Sequence, residues 1–138
     1  MFNYENTITG KMDLEKIWSL YSNVHRWQEW DTEIQKMELV GSFATGSKGV
    51  MYMNNLPPLP FILEKVEEKK CFIDVTTLGP FTITVGHFIT QEADNKITLK
   101  HTVTVTGASQ AELDEVGNNI VADLPESMEK LYKLVKIE

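Results

Sequence analysis

At 138 residues, 42% apolar and 24% charged, the chain has the size and composition of one globular domain rather than of a disordered segment. A formal net charge of −7 sets it against phosphate backbones and anionic lipid, which makes nucleic acid and membrane surfaces poor partners. No apolar run approaches the roughly 18 residues of a membrane span. The opening MFNYENTITG lacks a basic-then-apolar leader, and Cys71 is the single thiol, so a disulfide framework is excluded and a cytoplasmic location is expected.

Phe2, Tyr4 and Ile8 alternate with polar residues as far as Gly10, which predicts a first strand. Asp13 can then cap a helix whose stripe is Leu14, Ile17, Trp18 and Tyr21. Ser22 and Asn23 interrupt that stripe, and a second short helix runs through Trp27 and Trp30. All three tryptophans thus fall in one helical connection.

From Ile34 the apolar period becomes two. Strands are predicted over Glu33–Val40, Lys48–Asn54, Phe61–Glu68, Cys71–Leu78, Phe81–Gln91 and Lys96–Thr106. Short turns at Lys69-Lys70, Gly79-Pro80 and Ala93-Asp94-Asn95 join the later ones. The proline-rich segment Asn54–Pro60 cannot donate regular ladder bonds and is read as a loop, either a stiff connector or a gate over a cavity. Ile97, Leu99, His101, Val103 and Val105 share one face of the last strand. In strand 48–54 both faces, Met51 with Met53 and Val50 with Tyr52, are apolar enough to point inward.

Ser109–Lys136 carries Leu113, Val116, Ile120, Leu124, Met128, Leu131 and Val135 at helical spacing. It is predicted as one long helix kinked at Pro125, about 42 Å at 1.5 Å per residue. The sum is an α+β domain in which six hairpin-linked strands and the first strand are covered by one helix. A helix about 10 Å wide cannot fill a curved seven-stranded sheet, so an apolar cavity is expected between them.

The run DLEKIWSLYSNVHRWQEWDTEIQKMELVG, the Gly46-x-x-Gly49 turn, KITLKHTVTVTG and the kinked NNIVADLPESMEKLYKLV resemble the START-like (SRPBCC) superfamily, and more narrowly its polyketide cyclase/dehydrase and lipid-transport family. The resemblance spans nearly the whole chain, as a single domain over residues 1–138. It implies the helix-grip (Bet v 1/START-like) fold, with two short helices between strands 1 and 2 and an antiparallel sheet in order 1-7-6-5-4-3-2 around the last helix. It also implies an elongated hydrophobic cavity. Gln28 stands where relatives often carry proline, a departure expected to affect only the second short helix.

His87 shares parity with Ile83, Val85 and Ile89, and His101 with Leu99 and Val103. Both are therefore candidates for the concave face, either as a general acid/base pair or as core histidines satisfied locally. Trp27 and Trp30 either stack on a flat ligand or anchor the short helices. The candidate ligand-binding set is Trp30, Met51, Tyr52, Met53, Phe61, Val85, His87, Leu99, His101, Ile120 and Leu124. Asp74 has the opposite parity from Cys71, Ile73 and Val75 and is expected to face solvent, with Cys71 in the core. The three histidines have no metal-ligand spacing, so neither a metal nor another cofactor is expected.

These readings favour binding of a small hydrophobic, lipid- or polyketide-like molecule. The alternative is a polyketide cyclase or dehydratase with His87 or His101 as general acid/base, and a third reading is a non-catalytic interaction module whose cavity is filled. For relatives that act as aromatase/cyclases the resemblance implies an arginine and a tyrosine in the cavity. The only arginine here, Arg26, lies on the helical connection, which counts against that chemistry in its usual form.

Overall fold

The computed structural model describes all 138 residues, Met1–Glu138. Strand β1 (Phe2–Lys11) leads into helix α1 (Leu14–Ser22) and a 3-10 helix (Val24–Glu29). Six strands follow: β2 (Ile34–Leu39), β3 (Lys48–Met53), β4 (Leu59–Glu67), β5 (Cys71–Leu78), β6 (Phe81–Ala93) and β7 (Lys96–Thr106). Helices α2 (Gln110–Val121) and α3 (Leu124–Val135) close the chain.

Local chemistry explains where the early helices begin. The Asp13 carboxylate accepts from the backbone N–H groups of Glu15 at 3.0 Å and Lys16 at 3.2 Å, and the Asn23 side chain accepts from His25 N–H at 3.1 Å. Each cap satisfies backbone donors that have no partner inside the first turn. The tandem helices carry the chain from one edge of the sheet, β1, to the other, β2.

All seven strands form one antiparallel sheet in the order β1-β7-β6-β5-β4-β3-β2. Asp94 and Asn95 both have positive φ, 45° and 67°, as a two-residue hairpin turn of the type that suits strand twist requires. Ala93 therefore pairs with Lys96, and β6 runs past the expected end at Gln91. Bulges between Ile34 and Lys36, Leu63 and Lys65, and Gln91 and Ala93 bend the sheet into a bowl.

Three expectations need correction. The predicted long helix is two helices, broken at Ala122 and Asp123 rather than kinked at Pro125. A proline inside a helix removes a bond to the residue four before it, so the break falls ahead of Pro125 and the ring sits in the first turn of α3, where no N–H is needed. Leu59 and Pro60, assigned to the loop, open β4 opposite Met51 and Val50. The faces of β5 are the reverse of those expected: Phe72, Asp74 and Thr76 are buried on the concave side, while Cys71 stands opposite Phe88 on the outer face. Cross-strand partners point to the same side, and the register pairs Asp74 with Val85 and Phe72 with His87.

The interior has two parts. α3 buries Met128, Leu131 and Val135 in a larger cluster with Tyr21, Trp27, Trp30, Phe61 and Phe72. α2 buries Leu113 and Val121 against Ile83, Val103 and Val105. Gly117 lets α2 lie directly on β1, since a Cβ there would come 2.4 Å from the ring of Phe2. The bend between α2 and α3 leaves the middle of the bowl uncovered by helix. No helix is long and apolar enough to cross a membrane.

Candidate ligand-binding cavity

Under that bend lies a cavity of about 410 Å³, enclosed by β3, β5, β6 and β7, by the segment from Trp27 to Ile34, and by the bend itself. Its volume is within the range of small-molecule sites. Of the residues singled out from the sequence, Trp30, Met51, Met53, Val85, His87, His101, Ile120 and Leu124 are in its wall. The β3–β4 loop adds Asn54 and Leu56. The exposed members, Leu56, Asn119 and Asp123, mark the mouth.

Tyr52, Phe61 and Leu99 lie elsewhere. Tyr52 pairs with Lys36 of the edge strand on the outer face, where the lysine Nζ sits 5.4 Å from its ring centre. That settles the parity of β3, with Met51 and Met53 inward. Phe61 is buried against Trp27, ring centres 6.0 Å apart, and Leu99 is wholly enclosed in the core.

The buried end of the cavity is polar. His87 and His101 sit opposite each other on β6 and β7, with ring centres 4.7 Å apart. His87 stacks on Phe72 at 3.8 Å and 9°, and Phe72 stacks in turn on Trp27 at 5.3 Å. The Phe72 carbonyl accepts from His87 Nδ1 at 3.3 Å, which places the ring proton on Nδ1. Tyr21 Oη and His101 Nε2 are 2.7 Å apart, with the phenol as donor when the imidazole proton is on Nδ1. The carboxyl of Asp74 comes within 3.9 Å of His87 Nδ1. The wall also contains two buried donors with no partner, Trp30 Nε1 and Thr76 Oγ1. By contrast, the indole of Trp27 donates to the Tyr21 carbonyl at 2.8 Å.

Burial sets the protonation of this cluster. Desolvation pushes Asp74 up to about 7 and His101 down to about 3. His87 is driven well below its ordinary value by desolvation first and by His101 second, against the opposing hydrogen bond to Phe72. Burial also raises the Tyr21 phenol. Both imidazoles are therefore neutral at neutral pH, and Asp74 is poised between its two forms.

Thr76 and Tyr21 were not singled out from the sequence, and Asp74 was assigned to solvent, whereas it is buried in the cavity wall. Tyr21 was placed only in a helical stripe. Asp74 and Thr76 were recoverable from the turn: a two-residue connection at Gly79-Pro80 sets Leu78 opposite Phe81, and counting back puts Asp74 opposite Val85.

No family model matches the chain, and no curated protein matches it in sequence. Among solved structures it is similar to Ara h 8.0201, with a TM-score of 0.71, 15% identity and 94% of each chain covered. It is similar to norcoclaurine synthase from Thalictrum flavum at a TM-score of 0.71 and 11% identity, over 96% of this chain and 85% of that one. It is also similar to the di-domain ARO/CYC BexL from the BE-7585A biosynthetic pathway, at a TM-score of 0.75 and 13% identity, over 99% of this chain and 50% of that one. Together with the strand order and the sheet's grip on the C-terminal helices, these likenesses identify the fold as the helix-grip fold.

Proposed function

We propose that the protein binds a small, largely apolar molecule of lipid- or polyketide-like character in this cavity and holds one of its carbonyl or hydroxyl oxygens at the buried end. The observation that carries this reading is the pair of unpartnered donors, Trp30 Nε1 and Thr76 Oγ1, on residues each 4% exposed. A buried donor left without an acceptor costs about 1–3 kcal/mol, which a ligand oxygen would recover. Burial of the apolar body adds roughly 25 cal/mol per Å² before the costs of binding. A volume of about 410 Å³ is many times the roughly 30 Å³ share of one water, which counts against the interaction-module reading. The β3–β4 loop, which carries Leu56 at the mouth, is the natural gate. The lone, buried Cys71 fits a reducing cytoplasmic setting.

A second reading, acid–base catalysis on a polyketide-like substrate, is favoured by Asp74. A carboxyl held at about 7 inside a cavity is matched to proton transfer at neutral pH, whereas His101 at about 3 is too weak a base. Unchanged turnover of a confirmed substrate by Asp74→Asn would remove that carboxyl from the mechanism.

The binding reading is tested with a neutral solvatochromic dye displaced by fatty alcohols, sterols and polyphenols, on the native chain and on Val85→Trp. An indole entering open cavity space escapes the usual overpacking penalty of about 1–3 kcal/mol, so the variant is expected to stay folded and lose dye and ligands together. A variant that binds as well as the native chain, or a native chain that binds nothing in the panel, would count against the cavity as the site.

A further inference from the structure

We propose that the mouth of this cavity selects ligands carrying a basic nitrogen, protonated at neutral pH, and turns away apolar carboxylates such as free fatty acids. The inference rests on the binding reading above and narrows it. Three carboxyl groups, Asp31, Glu33 and Asp123, stand in the cavity wall, together with Asp74 at the buried end. No lysine or arginine lines the cavity. Every lysine or arginine ion pair in the molecule lies elsewhere, on Glu15, Glu29, Glu38, Glu67, Glu92 and Glu138. The three acids of the mouth therefore carry no cationic partner. Asp31 Oδ1 accepts one bond, from the backbone N–H of Glu33 at 3.1 Å.

The acids also feel one another. Asp31 is raised from its ordinary value by burial first, against the opposing hydrogen bond from the Glu33 N–H, and the charges of Glu33 and Asp123 add to the rise. Mutual repulsion among carboxylates, in a protein already at −7, favours any cation that comes between them. A second, independent feature ties this rim to a ligand. Trp30, which lines the cavity and whose buried indole N–H has no partner, is the chain neighbour of Asp31. A molecule with an acceptor at one end, an apolar body and an ammonium at the other would satisfy both features at once. The ammonium belongs at the rim, where Asp123 is exposed and Asp31 and Glu33 are half-buried, because the buried end keeps both histidines neutral and penalises charge of either sign.

Three probes of matched shape test the selection: 2-naphthylethylamine, 2-naphthylethanol and 2-naphthylacetate, titrated calorimetrically at neutral pH and low salt. The amine is expected to bind about tenfold more tightly than the carboxylate, with the alcohol between them. Raising the salt to a physiological level is expected to narrow that gap. In Asp31→Asn combined with Asp123→Asn the advantage of amine over alcohol is expected to collapse. The amides keep an acceptor for the Glu33 N–H, and a thermal melt confirms the fold of the variant. A carboxylate that binds as well as the amine, beside an alcohol that also binds, would overturn the selection and leave the cavity reading standing. Failure of all three probes would overturn the cavity reading and this inference with it.

Discussion

Asp74→Asn is expected to stabilise the folded protein by roughly 2–4 kcal/mol at about pH 8 and to change it little at about pH 4. The carboxyl is enclosed on the concave face, 4% exposed, and burial lifts it from 3.8 to about 7. Its folded value lies above its unfolded one, so the native chain holds a proton that the unfolded chain releases. The stability associated with that proton is complete below about pH 4 and is lost as the pH rises through about 7. Three units at about 1.4 kcal/mol each set the upper figure. His87 cannot rescue the charge, because it is itself neutral at 3.9 Å. The histidines act in the opposite direction: their folded values are depressed, so their contribution is present above about 6.5 and is lost on acidification. That loss is common to both proteins and cancels in the comparison. Urea unfolding of the two proteins across this range reads the difference, and a gap that stays flat with pH would show that Asp74 titrates as an ordinary surface carboxyl.

Phe72→Ala is expected to cost about 3–5 kcal/mol, the range for losing a fully enclosed aromatic ring. Phe72 is 0% exposed and has four aromatic neighbours: His87 at 3.8 Å, Tyr21 at 5.0 Å, and Trp27 and Phe43 at 5.3 Å. The ring also fixes the plane of His87, whose Nδ1–H bonds to the carbonyl of the same residue. Truncation should therefore weaken ligand binding as well as the fold. Phe88→Ala, half-buried on the outer face of the neighbouring strand, is the control and is expected to cost less. Chemical denaturation of both variants settles the order. A loss below about 1 kcal/mol at Phe72 would mean that the site collapses freely and that the stack does not hold the histidine.

Much of the fold was legible because patterning and turn chemistry agreed. Alternation in β7, the turn read at Ala93-Asp94-Asn95 and the resemblance to helix-grip proteins together gave the sheet and its order. The histidines were legible for the same reason, each standing among apolar neighbours of one parity. The faces of β5 were not, because Cys71, Ile73 and Val75 make an apolar set on what is the outer side. Apolar residues there are half-buried by neighbours such as Phe88, so hydrophobicity alone chose the wrong face and hid Asp74 and Thr76. Strand β3 is ambiguous by itself. Only its pairing with Lys36 and Glu38 on β2 turns Tyr52 outward. The break between α2 and α3 was half legible: Pro125 marks the place, but the lost backbone bond falls one turn earlier, and that shift opens the roof of the cavity.

The contact between a ligand oxygen and Trp30 is read most directly from the indole N–H resonances of nitrogen-15-labelled protein. Trp27 already donates to the Tyr21 carbonyl, whereas Trp30 Nε1 has no acceptor in the protein. On saturation with a small aryl ketone such as 2-acetylnaphthalene, the Trp30 indole proton is expected to move downfield as it gains an acceptor, while that of Trp18, outside the cavity wall, stays in place. A ketone that perturbs Val85 and Met51 yet leaves the Trp30 resonance unmoved would contradict an oxygen held at the buried end.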